Sequence, residues 1–330
     1  MASYSSKLDA LFSDLKSKNE ETRNKAANSL REYGNDTQTM VLASKALGRL
    51  AVPGGTLTSE FVDFEVKRAI EWLQGDRYEN RRLAAVLVLR ELALNSPTLI
   101  YSYISQIFDL IWVALRDSKV MIRNSAADTL SACLEIIYQR ESQLCIQWYV
   151  KILEEAQFGL KTNNSDCVHG SLLAYKELLL KSGTFMREKY TDVSEIVLSY
   201  KDHKEGLIKR TVISLIPTLA TYNSDMFVTS YLHKCMLHLL GQLRKNRDRT
   251  CPFIAIGRVA IAVGSSIEPY LDSILESIKE GLTTKGRSRE TQEAPIFQCI
   301  SMLATAVGSS LTKYLHELLD MMFCIVIVIL

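Results

Sequence analysis

Five histidines and seven cysteines carry the widest chemical repertoire in this chain of 330 residues. A metal site on a helix needs its ligands on one face, about three or four residues apart. His233 and His238 are five apart, which points them to different sides of a helix. His169, His203 and His316 are isolated in the sequence. The cysteines (Cys133, Cys145, Cys167, Cys235, Cys251, Cys299 and Cys324) are dispersed, odd in number and form no C-x-x-C pair. That pattern predicts buried free thiols in a reducing compartment, not a disulfide framework or a zinc site. No glycine-rich phosphate loop, H-R-D, D-F-G or H-E-x-x-H string occurs. Kinase, nucleotide-hydrolase and zinc-protease chemistry therefore have no support in these residues. The expectation is no catalytic, no cofactor-binding and no metal-ligating residue. The triplets Asn35-Asp36-Thr37 and Asn163-Asn164-Ser165 match a glycosylation acceptor, a pattern discounted in a chain read as cytosolic.

Charged residues show more order. Asp76 precedes Arg82 by six residues, and Asp117 precedes Arg123 by the same six. Ala85 and Ala126 each follow three residues later, and Arg23 with Ala26 repeats the second half. An Asp at a turn can cap the next helix, and an Arg one turn in can reach the neighbouring repeat's Asp. A structural ladder of Asp76, Arg82, Asp117 and Arg123 is the expectation; contact with a partner is the alternative. Three basic clusters follow. The first is Lys201, Lys204, Lys209 and Arg210; the second is Arg244, Lys245, Arg247 and Arg249; the third is Lys285, Arg287 and Arg289. They recur at roughly the spacing of a helical repeat, which predicts a basic edge for an acidic or phosphorylated partner. Solvated loop charge is the plainer alternative. Trp72, Trp112 and Trp148 fall at apolar helical positions and are expected in the core.

The elements that carry these residues read as helices throughout. Apolar residues recur at i, i+3, i+4 and i+7, as in Ile104, Ile107, Phe108, Ile111, Trp112 and Leu115. No alternating run bounded by hairpin turns is present, so the chain is all-α. The helices pair: 61–73 with 82–94, 104–115 with 120–137, 147–161 with 166–181, 187–200 with 204–222, 225–243 with 250–264, and 268–283 with 291–310. A period near 40 with two helices per unit marks a HEAT or armadillo array. One pair cannot bury its apolar faces alone, whereas stacked neighbours can. The expected fold is an α-solenoid of about seven stacked helix pairs forming a right-handed superhelix. Pro97 and Pro269 suit the first turn of a leading helix, and Pro252 and Pro295 that of a trailing one. Pro217 falls inside an apolar helix and is expected to kink it. Val52-Pro53-Gly54-Gly55-Thr56 reads as a loop, dividing a helical unit at 1–52 from an array at 57–320.

Composition agrees with that reading. The chain is 47% hydrophobic and 23% charged, with net charge +2. Such balance offers no bulk attraction to nucleic acid or anionic membrane. The first residues lack the apolar segment of a signal peptide. The longest apolar run, Met321 to Leu330, has ten residues, against the roughly 20 needed for a membrane helix. No transmembrane segment is expected. This run is also an uncapped apolar end for a solenoid, so 321–330 is expected to be a truncated or misassigned tail, with a short isoform as the alternative.

At Leu83-Ala84-Ala85-Val86-Leu87-Val88-Leu89-Arg90-Glu91-Leu92-Ala93 the sequence resembles the N-terminal HEAT region of the target-of-rapamycin (TOR) serine/threonine kinases, of the phosphatidylinositol-3-kinase-related family. Asp117 to Glu141, Gln147-Trp148-Tyr149, Val168 to Leu173 and Phe297 to Ala304 continue the resemblance in order. It covers nearly the whole chain. The resemblance implies a non-catalytic scaffold arm of a protein kinase active in nutrient and growth signalling. ATP and Mg would belong only to a kinase domain outside this sequence. It implies a Raptor-type subunit and the rest of the TOR chain as partners and, in some lineages, a Rheb-type small GTPase. The implied location is cytoplasmic, peripheral to endomembranes through partners. Animal members carry a long loop after the unit ending near Leu180, where this chain has only Ser182 to Glu188. A free-standing HEAT adaptor of the transport-receptor or phosphatase-scaffold type is the alternative.

Overall fold

The computed structural model describes residues 21–22, 36–51, 57–75, 77–140, 145–245, 249–283, 289–314, 316 and 319. Among the described residues there are helices and no strand. The chain divides into two compact units, 1–174 and 175–330. The first holds α1 (Thr37–Leu50), α2 (Leu57–Leu73), α3 (Glu79–Asn95), α4 (Pro97–Ile100), α5 (Ile104–Leu115), α6 (Val120–Arg140), α7 (Cys145–Leu160) and the start of α8 (Ser165–Lys181). The second holds α9 (Tyr190–Ser199), α10 (Gly206–Tyr222), α11 (Ser224–Ser230), α12 (Leu232–Lys245), α13 (Thr250–Val263), α14 (Leu271–Thr283) and α15 (Arg289–Leu311).

Leading and trailing helices bury their residues differently. In α5 the buried side chains include Ile104, Ile107, Phe108, Ile111, Trp112 and Leu115, one stripe at helical spacing. The trailing α3 buries Leu83, Ala85, Val86, Leu87, Val88, Leu89 and Leu92, nearly all round. It packs against α1, α2 and α6 at once, and a helix apolar on every side is one enclosed by neighbours. In the second unit α13 is enclosed in the same way by α10 and α15. Each fully buried aliphatic residue contributes about 1.5–3 kcal/mol, so the trailing helices dominate cohesion between pairs.

Polar contacts recur about one repeat apart along the chain. The Tyr103 hydroxyl donates to Asp63, and the Lys151 ammonium to Asp109. In the second unit Lys234 Nζ lies 3.1 Å from Glu195, and Ser310 Oγ donates to Glu268 at 2.6 Å. The partners are 39 and 42 residues apart. A contact at the repeat period is what stacked equivalent helices require.

Two prolines sit as expected, whereas Pro269 lies within the 3-10 turn Gly264–Tyr270 ahead of α14 and not in its first turn. Pro97 opens α4, and Pro252 lies in the first turn of α13. Pro217 is buried within α10, yet α10 runs unbroken from Gly206 to Tyr222. Ile213, Ile216 and Leu219 beside it are buried, and their packing keeps the helix continuous through a residue that lacks an N–H. Pro295 lies inside α15, because that helix starts earlier than expected, at Arg289. The non-helical residue in α15 is instead Val307 (φ −139°, ψ 37°).

The tryptophans also differ from expectation. Trp112 is 5% exposed, but Trp72 and Trp148 are only half-buried. Their outer faces carry cations instead: Arg68 and Arg81 on Trp72, and Lys151 on Trp148. Three stretches, Pro97–Leu115, Thr250–Leu282 and Glu293–Tyr314, are long and apolar enough to cross a membrane by length and composition alone. A count of consecutive apolar residues does not find them. Each is interrupted, the first two by 3-10 turns and the third at Val307.

Candidate functional site

Asp76 lies outside the described residues. The other three ladder residues meet across helix pairs. Arg82 Nε donates to Asp117 Oδ2 at 2.6 Å. Arg82 Nη1 also donates to the Arg77 carbonyl at 3.1 Å, which ties the turn before α3 to the next pair. Asp117 Oδ1 accepts from the Lys119 amide at 2.9 Å and so opens α6. One aspartate thus braces the turn that leads into α6 and serves as inter-repeat acceptor.

Arg123 continues the ladder from a deeper position, with 1% of its surface exposed. Its Nη1 donates to the Asp117 carbonyl at 2.5 Å and to Asp166 Oδ1 at 2.6 Å. Its Nε donates to His169 Nδ1 at 2.9 Å. Burial and then the Arg123 charge push the His169 pKa down to about 4. The ring is therefore neutral near pH 7, with Nδ1 as acceptor. Sequence reasoning missed both Asp166 and His169. The signal was the repeat itself, but the third unit shifts register. Here Asn164 caps the helix itself, accepting from the Asp166 amide at 2.7 Å and the Cys167 amide at 3.2 Å.

A pH dependence follows from His169. Its folded pKa of about 4 lies below the 6.5 of a free histidine side chain. Between those values the unfolded chain binds more protons, so stability falls as pH drops from about 6.5 to 4. Thermal unfolding of His169→Gln across this range should show a shallower fall than the parent chain. Parallel curves would contradict the role given to His169.

The basic residues all belong to the second unit. Lys204 and Arg210 are exposed and Lys209 is half-buried, at the turn into α10 and its first turns. Among the described residues none of the three forms an ion pair. Arg244 closes α12 and Arg249 precedes α13, with their Nη atoms 4.0 Å from Glu276 and Glu280 of α14. These facing carboxylates were not foreseen. The side chains of Lys245 and Arg289, and all of Arg247, Lys285 and Arg287, lie outside the described residues. The structure thus brings together cations at two successive turns, partly faced by acid.

Beside the first of these turns, between α9, α10 and α12, is a cavity of about 200 Å³. Leu198, Ile216 and Cys235 supply apolar walls, with Glu195, Ser199, Lys201, Lys234 and His238 also lining it. Burial pushes the thiols of Cys133, Cys235 and Cys299 up to about 12. They are neutral and poorly nucleophilic near pH 7. Among the described residues no group of three or more His, Cys, Asp or Glu side chains could hold a metal ion.

Residues 192–325 match a family model described as importin subunit beta-1-like, TPR repeats. The chain is 45% identical over 288 residues to the serine/threonine-protein kinase tor1 of Schizosaccharomyces pombe, covering 87% of this chain. It is 41% identical over 293 residues to the serine/threonine-protein kinase TOR of Arabidopsis thaliana, covering 88% of this chain. The chain spans only 12% of the length of each. Among solved structures it resembles Kap121p at TM-score 0.62 and 12% identity, over 96% of this chain and 36% of that one. That likeness bears out the all-α solenoid of HEAT type.

Proposed function

From the chain's kinship with the TOR serine/threonine kinases, whose HEAT-repeat region it matches over most of its own length, we propose that it is a non-catalytic scaffold arm of a TOR-type kinase. The carrying observation is sequence identity of 45% confined to 12% of the relative's length. In this reading the arm assembles the kinase complex and docks partners for nutrient and growth signalling. Its partners are a Raptor-type subunit, the rest of the TOR chain and, in some lineages, a Rheb-type GTPase. It works in the cytoplasm, peripheral to endomembranes through those partners. ATP and Mg are handled by a kinase domain elsewhere in the full protein. Stacked pairs locked by the Arg82–Asp117 and Arg123–Asp166 contacts support such a role, since a docking arm must hold its surface in fixed register.

A free-standing adaptor of the transport-receptor type is the second reading. The Kap121p-like fold favours it, but 12% identity carries fold alone. Mixing the purified chain with a purified Raptor-type subunit tests the first reading. Co-elution on gel filtration is expected, and labelled ATP with a peptide substrate should give no phosphotransfer. A chain that phosphorylates substrate, or never co-elutes while folded, would overturn the proposal. A separate mixture with a GTP-loaded Rheb-type protein checks the second partner.

A further inference from the structure

The cavity between α9, α10 and α12 has a size that selects its occupant. At about 200 Å³ it falls below the roughly 300–1,000 Å³ of sites that enclose drug-sized ligands and cofactors. It suits one aliphatic side chain. Leu198, Ile216 and Cys235 provide apolar contact for it. The Cys235 thiol is buried and adds no charge. This composition fits a partner's side chain better than a bound ion.

The rim carries the opposite character. Lys201 and Lys234, both partly exposed, line the cavity together with Glu195, Ser199 and His238. Two carboxylates are already present. Glu195 pairs with Lys234 at 3.1 Å, and Asp202 pairs with Lys201 at 2.8 Å. Both acids are well exposed, at 58% and 70%, and their lysine partners at 45% and 41%. Exposed pairs of this kind hold weakly and exchange readily. Beyond them stand Lys204, Lys209 and Arg210, which meet no carboxylate among the described residues. Glu205 is the one further acid in this turn. Five cations (Lys201, Lys204, Lys209, Arg210 and Lys234) thus stand against the three acids Glu195, Asp202 and Glu205, a net positive neighbourhood around a partly apolar cavity.

We propose that this cavity and the turn beside it dock an acidic linear segment of a partner protein. One aliphatic side chain enters between Leu198, Ile216 and Cys235, and flanking carboxylates meet Lys201, Lys204 and Lys234. An extended acidic peptide satisfies both features at once. A nucleic acid would use the cations and leave the aliphatic hole unfilled. The inference goes beyond the kinase kinship and does not depend on it.

The test uses the whole 330-residue chain and a capped peptide with one leucine between two pairs of glutamates. Saturable binding is expected by fluorescence anisotropy, weakening about threefold or more as salt rises from low to physiological strength. Exchanging the glutamates for glutamines should weaken it by about tenfold, because the rim acts through charge. Exchanging the leucine for alanine should weaken it by about threefold or more, because the hole is left empty. The surface variant Lys201→Gln/Lys204→Gln should lose about fivefold or more with an unchanged circular dichroism spectrum. No saturable binding would overturn the proposal. So would equal binding of the glutamine peptide, an unaffected double variant, or an oligothymidylate that binds as tightly as the acidic peptide. Each of these results leaves capture of a Raptor-type subunit as a separate question, so the two readings fail separately.

Discussion

Arg123→Ala is expected to destabilise the first unit by about 3 kcal/mol, the low end for removing one partner of a buried ion pair. The low end applies because Asp166 is 37% exposed and keeps some water. The loss comes from three orphaned acceptors: the Asp117 carbonyl, Asp166 Oδ1 and His169 Nδ1. A neutral buried acceptor left without its donor costs about 1–3 kcal/mol alone. Arg123→Lys should fall between, since an ammonium on a flexible stem cannot serve all three in fixed geometry. Lys151→Ala is the control. Lys151 and Asp109 are 45% and 55% exposed, and such pairs contribute about 0–1 kcal/mol. Urea unfolding at pH 7 reads all three. An Arg123→Ala midpoint indistinguishable from that of Lys151→Ala would show that the ladder does not hold the stack.

Gly170→Ala should be at least as damaging. A Cβ at Gly170 would lie 1.8 Å from the Leu115 carbonyl oxygen and 2.7 Å from its carbon. The obstacle is backbone at the end of α5, not the tip of a movable side chain. Trailing α8 would have to back away from α5, losing contact for the neighbouring buried residues Val168, His169 and Ser171. Overpacking of this kind costs typically about 1–3 kcal/mol and sometimes more; rigid backbone on both sides places it at about 3. Gly241→Ala in α12 is the opposite case. Nothing lies within 4 Å of its Cβ, and removing a mid-helix glycine should gain about 0.5–1 kcal/mol. The same unfolding series distinguishes them by sign. A neutral Gly170→Ala would mean that α5 and α8 do not approach as closely as described.

Much of this architecture was legible in the residues, for identifiable reasons. The helix pairs showed because each leading helix must keep an apolar stripe, as Ile104 to Leu115 does. The Arg82–Asp117 contact showed because the same Asp-to-Arg spacing occurs twice, and a local spacing becomes an inter-repeat contact once units stack. Asp166 and His169 stayed hidden because their unit differs in length from the one before it. Asn164 caps α8 where the preceding unit has an aspartate in its turn, so the pattern cannot be followed by counting. Glu276 and Glu280 opposite Arg244 and Arg249 stayed hidden for another reason. They lie on a different pair, and only the packing of α12 and α13 on α14 brings them close. Pro217 and Pro295 show helices that continue through a proline where neighbours enclose them. The cavity joins side chains from three helices whose individual sequences carry no motif.

Displacement within an assembled TOR complex tests the docking-arm reading most directly. The purified chain, added in excess to a complex of full-length TOR kinase and its Raptor-type subunit, should compete for that subunit. The account predicts that recovery of the Raptor-type subunit with the kinase falls as chain is added, and that the Arg123→Ala chain competes less well than the parent. Undiminished recovery at saturating concentrations of folded chain would contradict it.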